Sequence, residues 1–467
     1  MNQNRMPLIE VLQKHIHKQS ISFHVPGHKN GLLFTDERLA AFGAFDVTEL
    51  TGLDDLHEPE EAIAQAEALL TDLYQTKKSY FLVNGSTVGN LAMILATCKQ
   101  GDQVLVQRNC HKSIVHALML AKVQPIFITP SQTNQAIEPD YVAAAFKQYP
   151  QIKACIFTYP DYYGRIYDLP TIIEIIHAHQ AIVLIDEAHG AHFSLAAPIP
   201  DSALALGADI VVHSAHKMLP AMTMGSYLHI NSDRVSVKRI EQYLTILQSS
   251  SPSYPIMASL DYARHYLAHI TNEDLHYTLS CRQQFMQQIK QKTELQIVPS
   301  TEGQDPLKLM LFHPHISGFQ LQSKLEEVAI YPELADPDVV LLTLPLLKVG
   351  MEFPYEQAVE KMSHLEFKAN HRSSLIDGNI PIERITKLMF TYDEMNEMET
   401  EAVYIDDAEG RVAAQMLIPY PPGIPLLLTG EKITEHHVKT LRYLIANHAR
   451  FQGGDPLIDG KVIVFTL

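Results

Sequence analysis

The sequence predicts an α/β fold: a mostly parallel sheet wound on both faces by helices, followed by a smaller α+β region. Three observations lead to this prediction. Short apolar runs recur along the first half of the chain, each ends at a turn or a polar residue, and helical periodicity follows several of them. Strands that are apolar throughout are typical of parallel sheets, because helices cover both of their faces.

Five runs in the first half are predicted strands, at 80–83, 103–106, 153–158, 181–185 and 209–213. Helical patterns follow the first two, around 91–95 and over 114–121. The sequence Ser-Pro-Ser-Tyr-Pro at 251–255 then interrupts the alternation, and a helical stretch is expected from 256 through 291. The region beyond it is predicted to have strands at 308–312, 339–342 and 462–465 and helices at 354–368 and 434–448.

Composition excludes several classes of protein. The chain of 467 residues has 46% hydrophobic and 19% charged residues, which is typical of a globular protein with a large core. Its 36 basic and 53 acidic residues give a formal charge of −17, which disfavours nucleic acid and anionic membranes as partners. The four cysteines are widely scattered, and the sequence shows neither a signal pattern nor a long apolar stretch. We therefore expect a protein of the reducing cytoplasm.

Two candidate catalytic residues follow predicted strands. Asp186 ends the run 181–185, and Lys217 lies four residues beyond the run 209–213. The carboxyl ends of parallel strands share one edge of a sheet, where ligands bind. Taken alone, Asp186 could bind a metal, act as a base, pair with a protonated heterocycle or cap a helix, and a lysine is most often a solvated surface cation. A desolvated lysine amine, however, forms an imine with an aldehyde.

Two further motifs lie at the same predicted edge. Asn-Gly-Ser-Thr at 84–87 joins a strand to a helix, so Gly85, Ser86 and Thr87 could hold a phosphate or simply cap the helix. His111 follows the next strand and could lie flat on an aromatic ring, although a lone loop histidine is usually only polar. The chain thus contains, in this order, a possible phosphate cup, a histidine that could stack on a ring, an acidic residue and a lysine. A pyridoxal phosphate site on such a sheet requires this order.

Nine motifs resemble, in order and over nearly the whole chain, those of the prokaryotic ornithine/lysine/arginine decarboxylase family, which has fold type I of the pyridoxal phosphate enzymes. They are FHVPGHKNG (23–31), DVTELTGLDDLHEPE (46–60), FLVNGSTVGNLAMI (81–94), RNCHKS (108–113), YPDYYGRIYDL (159–169), IDEAHGAHF (185–193), HSAHKMLPAMTMGSYLH (213–229), SPSYPIMASLDYAR (251–264) and YPPGIPLLLTGEKIT (420–434).

The resemblance implies a role for each matching residue. Lys217 would be the Schiff-base lysine, Asp186 would pair with the pyridinium nitrogen, and His111 would stack on the ring. The phosphate ligands would be Gly85, Ser86, Thr87, Ser214 and His216, while Ala188 and His189 would line the other ring face. Lys217 or His216 would return a proton to Cα.

The resemblance also implies a reaction and an assembly. The expected activity is decarboxylation of arginine, lysine or ornithine for polyamine metabolism, by a homodimer with active sites at the subunit interface. A basic substrate needs a carboxylate for its distal cation, and the candidates are Asp46, Glu49, Asp54, Asp55 and Glu431. The expected division is an arm (1–40), a cofactor-binding major domain (41–290), a small α+β domain (291–370) and a C-terminal decarboxylase domain (371–467).

Three alternatives remain open at the level of sequence. An aminotransferase would use the same lysine and acid. Departures from the family pattern at Glu61, Met218 and Met224 allow a catalytically weak regulatory homologue that binds the cofactor. Metal-dependent hydrolysis is suggested only by 24 histidines and by the pairs His189/His192 and His213/His216. No metal signature accompanies these pairs, so no metal is expected.

Overall fold

The computed structural model of the chain describes residues 1–131, 136–367, 383–419, 423–447 and 449–466. The expected boundary at 370/371, the first three residues of the ninth motif and position 448 lie outside these ranges. The described chain forms two units, the first comprising 1–97, 182–197 and 201–271 and the second 98–181, 198–200 and 272–467. The four-part division made from the sequence remains a prediction.

The helices of the described residues are α1 Pro7–His17, α2 Glu37–Gly43, α3 Ala62–Tyr74, α4 Gly85–Thr97, α5 Lys112–Ala121, α6 Pro139–Gln148, α7 Leu169–Ala178, α8 Ala215–Met218, α9 Val237–Leu247, α10 Tyr254–Ala268, α11 Asn272–Lys292, α12 Gly318–Glu327, α13 Tyr355–Ser363, α14 Tyr392–Glu397 and α15 Glu435–Ala446, with 3₁₀ turns at Ile405–Asp407 and Asp455–Asp459. No helix in these ranges combines the length and the apolar composition needed to cross a bilayer.

The strands are β1 Lys78–Leu82, β2 Gln103–Gln107, β3 Gln124–Ile128, β4 Ile152–Thr158, β5 Ile182–Asp186, β6 Ile210–His213, β7 Ser226–Ile230, β8 Gln296–Ile297, β9 Lys308–Phe312, β10 Leu334–Ala335, β11 Val340–Thr343, β12 Ile385–Lys387, β13 Thr400–Tyr404, β14 Ile418–Pro419, β15 Phe451–Gln452 and β16 Lys461–Phe465.

Four strands of the first unit lie side by side in the order β1, β7, β6, β5. Strands β5 and β6 run parallel, while β7 runs antiparallel to both β6 and β1. Every residue of β6 and β7 is buried, as expected for strands covered on both faces. Helix α4 packs on this group of strands and carries the predicted phosphate cup at its N-terminus.

The second unit has its own run of strands in the order β4, β2, β3, β12, of which the first three are parallel and β12 is antiparallel to β3. A separate antiparallel sheet has the order β10, β11, β9, β8. Toward the C-terminus, β13 pairs with β16 and β14 with β15. An apolar cluster of buried residues in this part of the chain includes Leu417, Leu441 and Val464.

The predicted α/β class with parallel strands is confirmed, and all eight predicted strands form. The sequence missed β3, which contains a proline, and β7, which contains a serine and a histidine, because polar residues and prolines mask strand periodicity. The single helical stretch expected from 256 to 291 was wrong in detail, since α10 ends at Ala268 and α11 begins at Asn272. The Ser-Pro-Ser-Tyr-Pro sequence starts α10, because the hydroxyl of Ser253 caps its first turn.

Candidate active site

The ends of β5 and β6 bring the predicted acid and lysine to one edge of the first unit. Asp186 is the last residue of β5 and pairs in register with Val212 of β6. Strand β6 ends at the next residue, and Ser214 is the N-cap of the single turn α8, which carries Lys217. Because the two strands are parallel, Asp186 and the segment that bears Lys217 leave the sheet at the same edge.

The carboxylate of Asp186 is buried and held by two N–H donors. Only 3% of the Asp186 residue is exposed to solvent. Oδ2 accepts from the side-chain amide of Asn90 on α4 at 2.9 Å, and Oδ1 accepts from the backbone N–H of Ala188 at 3.2 Å. A buried carboxylate must be satisfied in this way, because hydrogen bonds to its charged form offset the loss of hydration.

The amine of Lys217 lies 3.0 Å from Nε2 of His189. His189 is buried three residues beyond Asp186, whereas Lys217 is partly exposed. His216 is oriented differently: its Nδ1 lies 2.9 Å from the carbonyl oxygen of Gly225, which makes Nδ1 the protonated nitrogen of the neutral ring. Both histidines that the sequence singled out precede the lysine in the chain, and they have distinct contacts: His189 with the lysine amine and His216 with the backbone of Gly225.

The residues predicted to form the phosphate cup lie at the N-terminus of α4. Gly85 has φ +80°, a conformation that favours glycine, and a Cβ there would have no neighbour within 4 Å. The hydroxyl of Ser214 donates to the hydroxyl of Ser86 at 2.7 Å, which joins the cup to the start of α8. Thr87 is exposed. The backbone N–H of Gly85 donates to the carbonyl oxygen of Met224, whose own φ is +78°.

His111 belongs to the second unit. It is the N-cap of α5, and its Nδ1 accepts from the backbone N–H of Ser113 at 3.2 Å. Its predicted role of stacking on a cofactor ring remains a prediction.

Two of the carboxylates considered as ligands for the distal cation of the substrate form several hydrogen bonds within the chain. Glu431 forms an ion pair with Arg108 through two hydrogen bonds, of 2.9 and 2.6 Å, and also accepts from the backbone N–H of Leu428. Asp54 accepts from the backbone N–H groups of Glu61 and Ile63 at 2.9 and 2.8 Å, at the start of α3. Both carboxylates therefore have structural partners.

The other three candidates have fewer partners among the described residues. Asp46 lies 3.1 Å from Nε2 of His28, Glu49 accepts from the hydroxyl of Thr48, and Asp55 accepts from the backbone N–H of His57 at 2.8 Å. All three lie in the first unit with Asp186 and Lys217.

A hydrogen-bond chain that no sequence pattern indicated crosses four neighbouring strands of the first unit. Glu187, directly after β5, lies 2.8 Å from Nε2 of His213 on β6. The other ring nitrogen of His213 lies 3.1 Å from Nε2 of His229 on β7, and Nδ1 of His229 lies 2.8 Å from the hydroxyl of Ser79 on β1. All four residues are buried.

When both imidazoles are neutral and Glu187 is ionised, only one arrangement of protons satisfies this chain. Ser79 donates to Nδ1 of His229, His229 donates from Nε2 to Nδ1 of His213, and His213 donates from Nε2 to the Glu187 carboxylate. Burial lowers the pKa of His229 well below its ordinary value, and so does the neighbouring His213. The chain thus ties the residue after Asp186 to the residue before Ser214 and fixes the ends of β5 and β6.

Histidines of the two pairs considered as metal ligands form other contacts in the structure. Both ring nitrogens of His213 are engaged, by Glu187 and His229, and His189 contacts Lys217. Within the ranges that the structure describes, no group of three or more histidine, cysteine, aspartate and glutamate side chains is placed to hold a metal ion.

Comparison with known proteins gives matches along most of the chain. Residues 6–314 match the family described as Orn/Lys/Arg decarboxylase, major domain, and residues 382–460 match Orn/Lys/Arg decarboxylase, C-terminal domain. The Uncharacterized protein YaaO of Bacillus subtilis (strain 168) is 43% identical, with 98% of each chain covered. The Arginine decarboxylase of the same organism is 30% identical, covering 94% of this chain and 93% of the relative.

A solved structure has a similar fold. The crystal structure of the Francisella novicida lysine decarboxylase LdcF superposes with a TM-score of 0.78 at 18% identity. The match covers 99% of this chain and 81% of that one.

Proposed function

Because the chain belongs to the Orn/Lys/Arg decarboxylase family, we propose that it removes the α-carboxylate of arginine, lysine or ornithine as carbon dioxide. The product would be the corresponding amine, for polyamine metabolism in the cytoplasm. The observation that carries the proposal is the position of a buried carboxylate, Asp186, and a lysine amine, Lys217, at one edge of the same unit.

The cofactor of the family is pyridoxal phosphate, and the residues at the site fit it. A phosphate needs backbone N–H groups and hydroxyls at a helix N-terminus, and α4 begins at Gly85 with Ser86 and Ser214 beside it. The open space beside the Cα of Gly85 leaves room for a phosphate to approach. When bound, pyridoxal phosphate supplies an aldehyde that joins the substrate amine and a protonated ring that withdraws electrons from the breaking bond.

In this proposal, residues of the first unit hold and orient the cofactor. Lys217 would provide the amine that holds the aldehyde, and the negative charge of Asp186 would keep the ring nitrogen protonated. The donors on both carboxylate oxygens set the orientation of Asp186. His189 lies against the lysine amine, and its burial beside Ala188 keeps water from that side of the site.

A proton must return to Cα after carbon dioxide leaves. Lys217 Nζ is one proton donor at the site, and its contact with His189 gives it a partner for that proton. His216 is the other candidate, and with Nδ1 bound to Gly225 the transferable proton would be on Nε2.

For the distal cation of the substrate we favour Asp46 and Glu49 over Asp54 and Glu431. The carboxylate of Glu431 is neutralised by Arg108, and that of Asp54 is saturated by backbone N–H groups. Asp46 has a histidine partner and Glu49 a hydroxyl partner, so a substrate ammonium or guanidinium would find their charge uncompensated.

The assembly that we propose is a homodimer with active sites at the subunit interface. Residues 21–45, which we call the apolar arm segment, expose a run of large hydrophobic side chains that a second copy of the chain would cover. They include Ile21, Phe23, Val25, Leu32, Leu33, Leu39 and Phe42.

The test is to supply arginine, lysine and ornithine separately to the purified protein with pyridoxal phosphate, and to measure carbon dioxide and identify the organic product. We expect carbon dioxide and the amine from at least one substrate. Lys217→Ala should abolish both this activity and the absorbance band of the bound cofactor, whereas Lys238→Ala on the exposed face of α9 should change neither.

Other outcomes would contradict the proposal. A keto acid in place of an amine would identify an aminotransferase. A cofactor band without turnover of any of the three substrates would identify a regulatory homologue, and an unchanged band in Lys217→Ala would mean that another lysine holds the cofactor.

A further inference from the structure

We propose that Asn90 is a positioning residue for Asp186, and that helix α4 thereby couples the phosphate cup to the carboxylate that faces the cofactor ring. The inference rests on the proposed function, because it concerns the same site. It adds a residue that contacts neither substrate nor cofactor in the proposed mechanism and that acts through Asp186.

The first step is the contact itself. The side-chain amide of Asn90 donates to Oδ2 of Asp186 at 2.9 Å, between residues 96 positions apart in the chain. Asn90 is 1% exposed, so water cannot replace this donor. Hydrogen bonds to an ionised, buried acceptor are stronger than neutral ones, and losing one leaves part of the charge unsatisfied.

The second step is the geometry of the carboxylate. Asn90 occupies one oxygen of Asp186 and the backbone N–H of Ala188 the other, so the plane of the carboxylate is set by two donors from different elements. An ionised carboxylate has about four acceptor positions, and two therefore remain. One of them can receive the ring N–H of the cofactor in a fixed orientation.

The third step is the spacing on α4. Ser86 and Asn90 are four residues apart and lie on the same face of the helix. Ser86 bonds to Ser214 beside β6, and Asn90 bonds to Asp186 at the end of β5. One helical face therefore contacts both the predicted phosphate ligands and the predicted ring-nitrogen partner, which sets the distance between the protein groups that would hold the two ends of the cofactor.

The fourth step is the close approach of the helix. A Cβ on Gly89 would lie 2.7 Å from Cγ1 of Val212 and 2.8 Å from Cδ1 of Leu82. Only glycine allows α4 to pack this closely on β6 and β1. Asparagine has a short side chain, so its amide reaches Asp186 only because Gly89 brings the helix this near to the sheet.

The test compares Asn90→Ala with a matched control, Asn231→Ala. Asn231 lies in the same unit, and its amide donates to the backbone carbonyl oxygens of Leu204 and Ala208. We expect Asn90→Ala to weaken binding of pyridoxal phosphate to the apo-protein by roughly 10-fold to 100-fold and to lower kcat with little change in KM, since one charge-assisted hydrogen bond is lost. The control should change neither quantity by more than about 2-fold.

A second variant, Asn90→Asp, keeps the side-chain volume but makes the hydrogen bond to Asp186 depend on pH, because a carboxyl group can donate only when it is protonated. The introduced carboxyl would lie beside Asp186, so burial and like charge raise its pKa. Below that pKa it is protonated and donates to Asp186 as the amide does, whereas above it the donor is lost and two anions repel. We therefore expect cofactor affinity near that of the wild type at pH 6 and a loss of at least roughly 10-fold at pH 9.

The outcomes separate this inference from the proposed function. If the wild type binds pyridoxal phosphate but both Asn90 variants match Asn231→Ala at every pH, the positioning role is wrong and the proposed function stands. Equal weakening by Asn90→Asp at pH 6 and pH 9 would also contradict it, because a purely steric role does not titrate. If the wild type fails to bind the cofactor, the proposed function itself fails.

Discussion

Individual acidic residues that look alike in the sequence have different environments in the structure. Asp186 is held by neutral N–H donors and keeps acceptor positions for a ligand, whereas Glu431 is paired with a guanidinium and Glu187 ends a chain of imidazoles. These differences arise from residues far away in the chain. Of the three, only Asp186 is buried at the end of β5 with two of its acceptor positions left for a ligand.

The Glu431 region also contains a titrating histidine. Burial raises the pKa of Glu431, but the charge and hydrogen bonds of Arg108 outweigh burial, so the net shift is downward. The pKa of His437 is lowered to about 4, chiefly by burial; the charge of Glu431 opposes this shift, and Arg108 and His436 add to it. Nδ1 of His437 accepts from the backbone N–H of Thr434 in a capping box at the start of α15, which only the unprotonated ring can do.

At the residue scale we predict that His437→Gln reduces the acid sensitivity of the protein. In the unfolded chain a histidine binds its proton near pH 6.5, whereas the folded protein resists protonation of His437 down to about pH 4. Folding stability is therefore lost as the pH falls between these values, by on the order of 3 kcal/mol. Glutamine completes the same capping box without titrating.

The measurement is thermal unfolding at pH 7 and pH 5. The variant should show a smaller drop in Tm between the two pH values than the wild type. His15→Gln, in the other unit, is the control for loss of a partly buried histidine. An unchanged drop in the His437 variant would show that this ring does not carry the acid sensitivity.

At the scale of the element, Asp54 explains how helix α3 begins. The N-cap of α3, Glu61, makes no capping hydrogen bond through its own side chain, and the orphan N–H groups of the first turn bond instead to Asp54, several residues earlier. Its negative charge also lies at the positive end of the helix dipole. The loop of the second motif is thereby folded back onto α3.

We predict that Asp54→Ala lowers the free energy of unfolding by about 2 kcal/mol, because several backbone donors lose their acceptor. Asp54→Asn keeps one acceptor oxygen and should cost less. Chemical denaturation gives both values. KM of the folded Asp54→Asn variant for the basic substrate should stay within about 2-fold of the wild type; a large rise in KM would restore Asp54 as a substrate ligand.

At the scale of the whole molecule, the apolar arm segment exposes several large hydrophobic side chains. Phe23 is 94% exposed and Leu32 is 80% exposed. Clusters of large hydrophobic side chains on a protein surface usually mark an interface. In the homodimer that we propose, the second copy of the chain covers them.

We therefore predict that Phe23→Glu combined with Leu32→Glu weakens the dimer, because a charge buried at an interface is costly. Ile458→Glu is the matched control, since Ile458 is 87% exposed in the second unit and is not part of this segment. Sedimentation velocity over a range of protein concentrations measures the assembly. Dimers of equal stability in both variants would exclude the arm segment from the interface.

Much of the fold could be predicted because its signals are local. Apolar runs identified eight strands, and turn chemistry at 84–87 identified the start of α4. Strands β3 and β7 were missed because Pro125 and His229 interrupt their periodicity, although tertiary packing buries both strands. The break between α10 and α11 was missed because no glycine or proline marks it in the sequence.

The sequence by itself determined the α/β class, the family and the residues at the ends of β5 and β6, because motif and strand end lie within a few residues of each other. Only the tertiary structure decided which carboxylates have partners and that Asn90 contacts Asp186. It also decided that Glu187, His213, His229 and Ser79 form one chain of hydrogen bonds. Such contacts join residues up to 323 positions apart, as between Arg108 and Glu431, and depend on strand register and helix distance. No local pattern encodes either quantity.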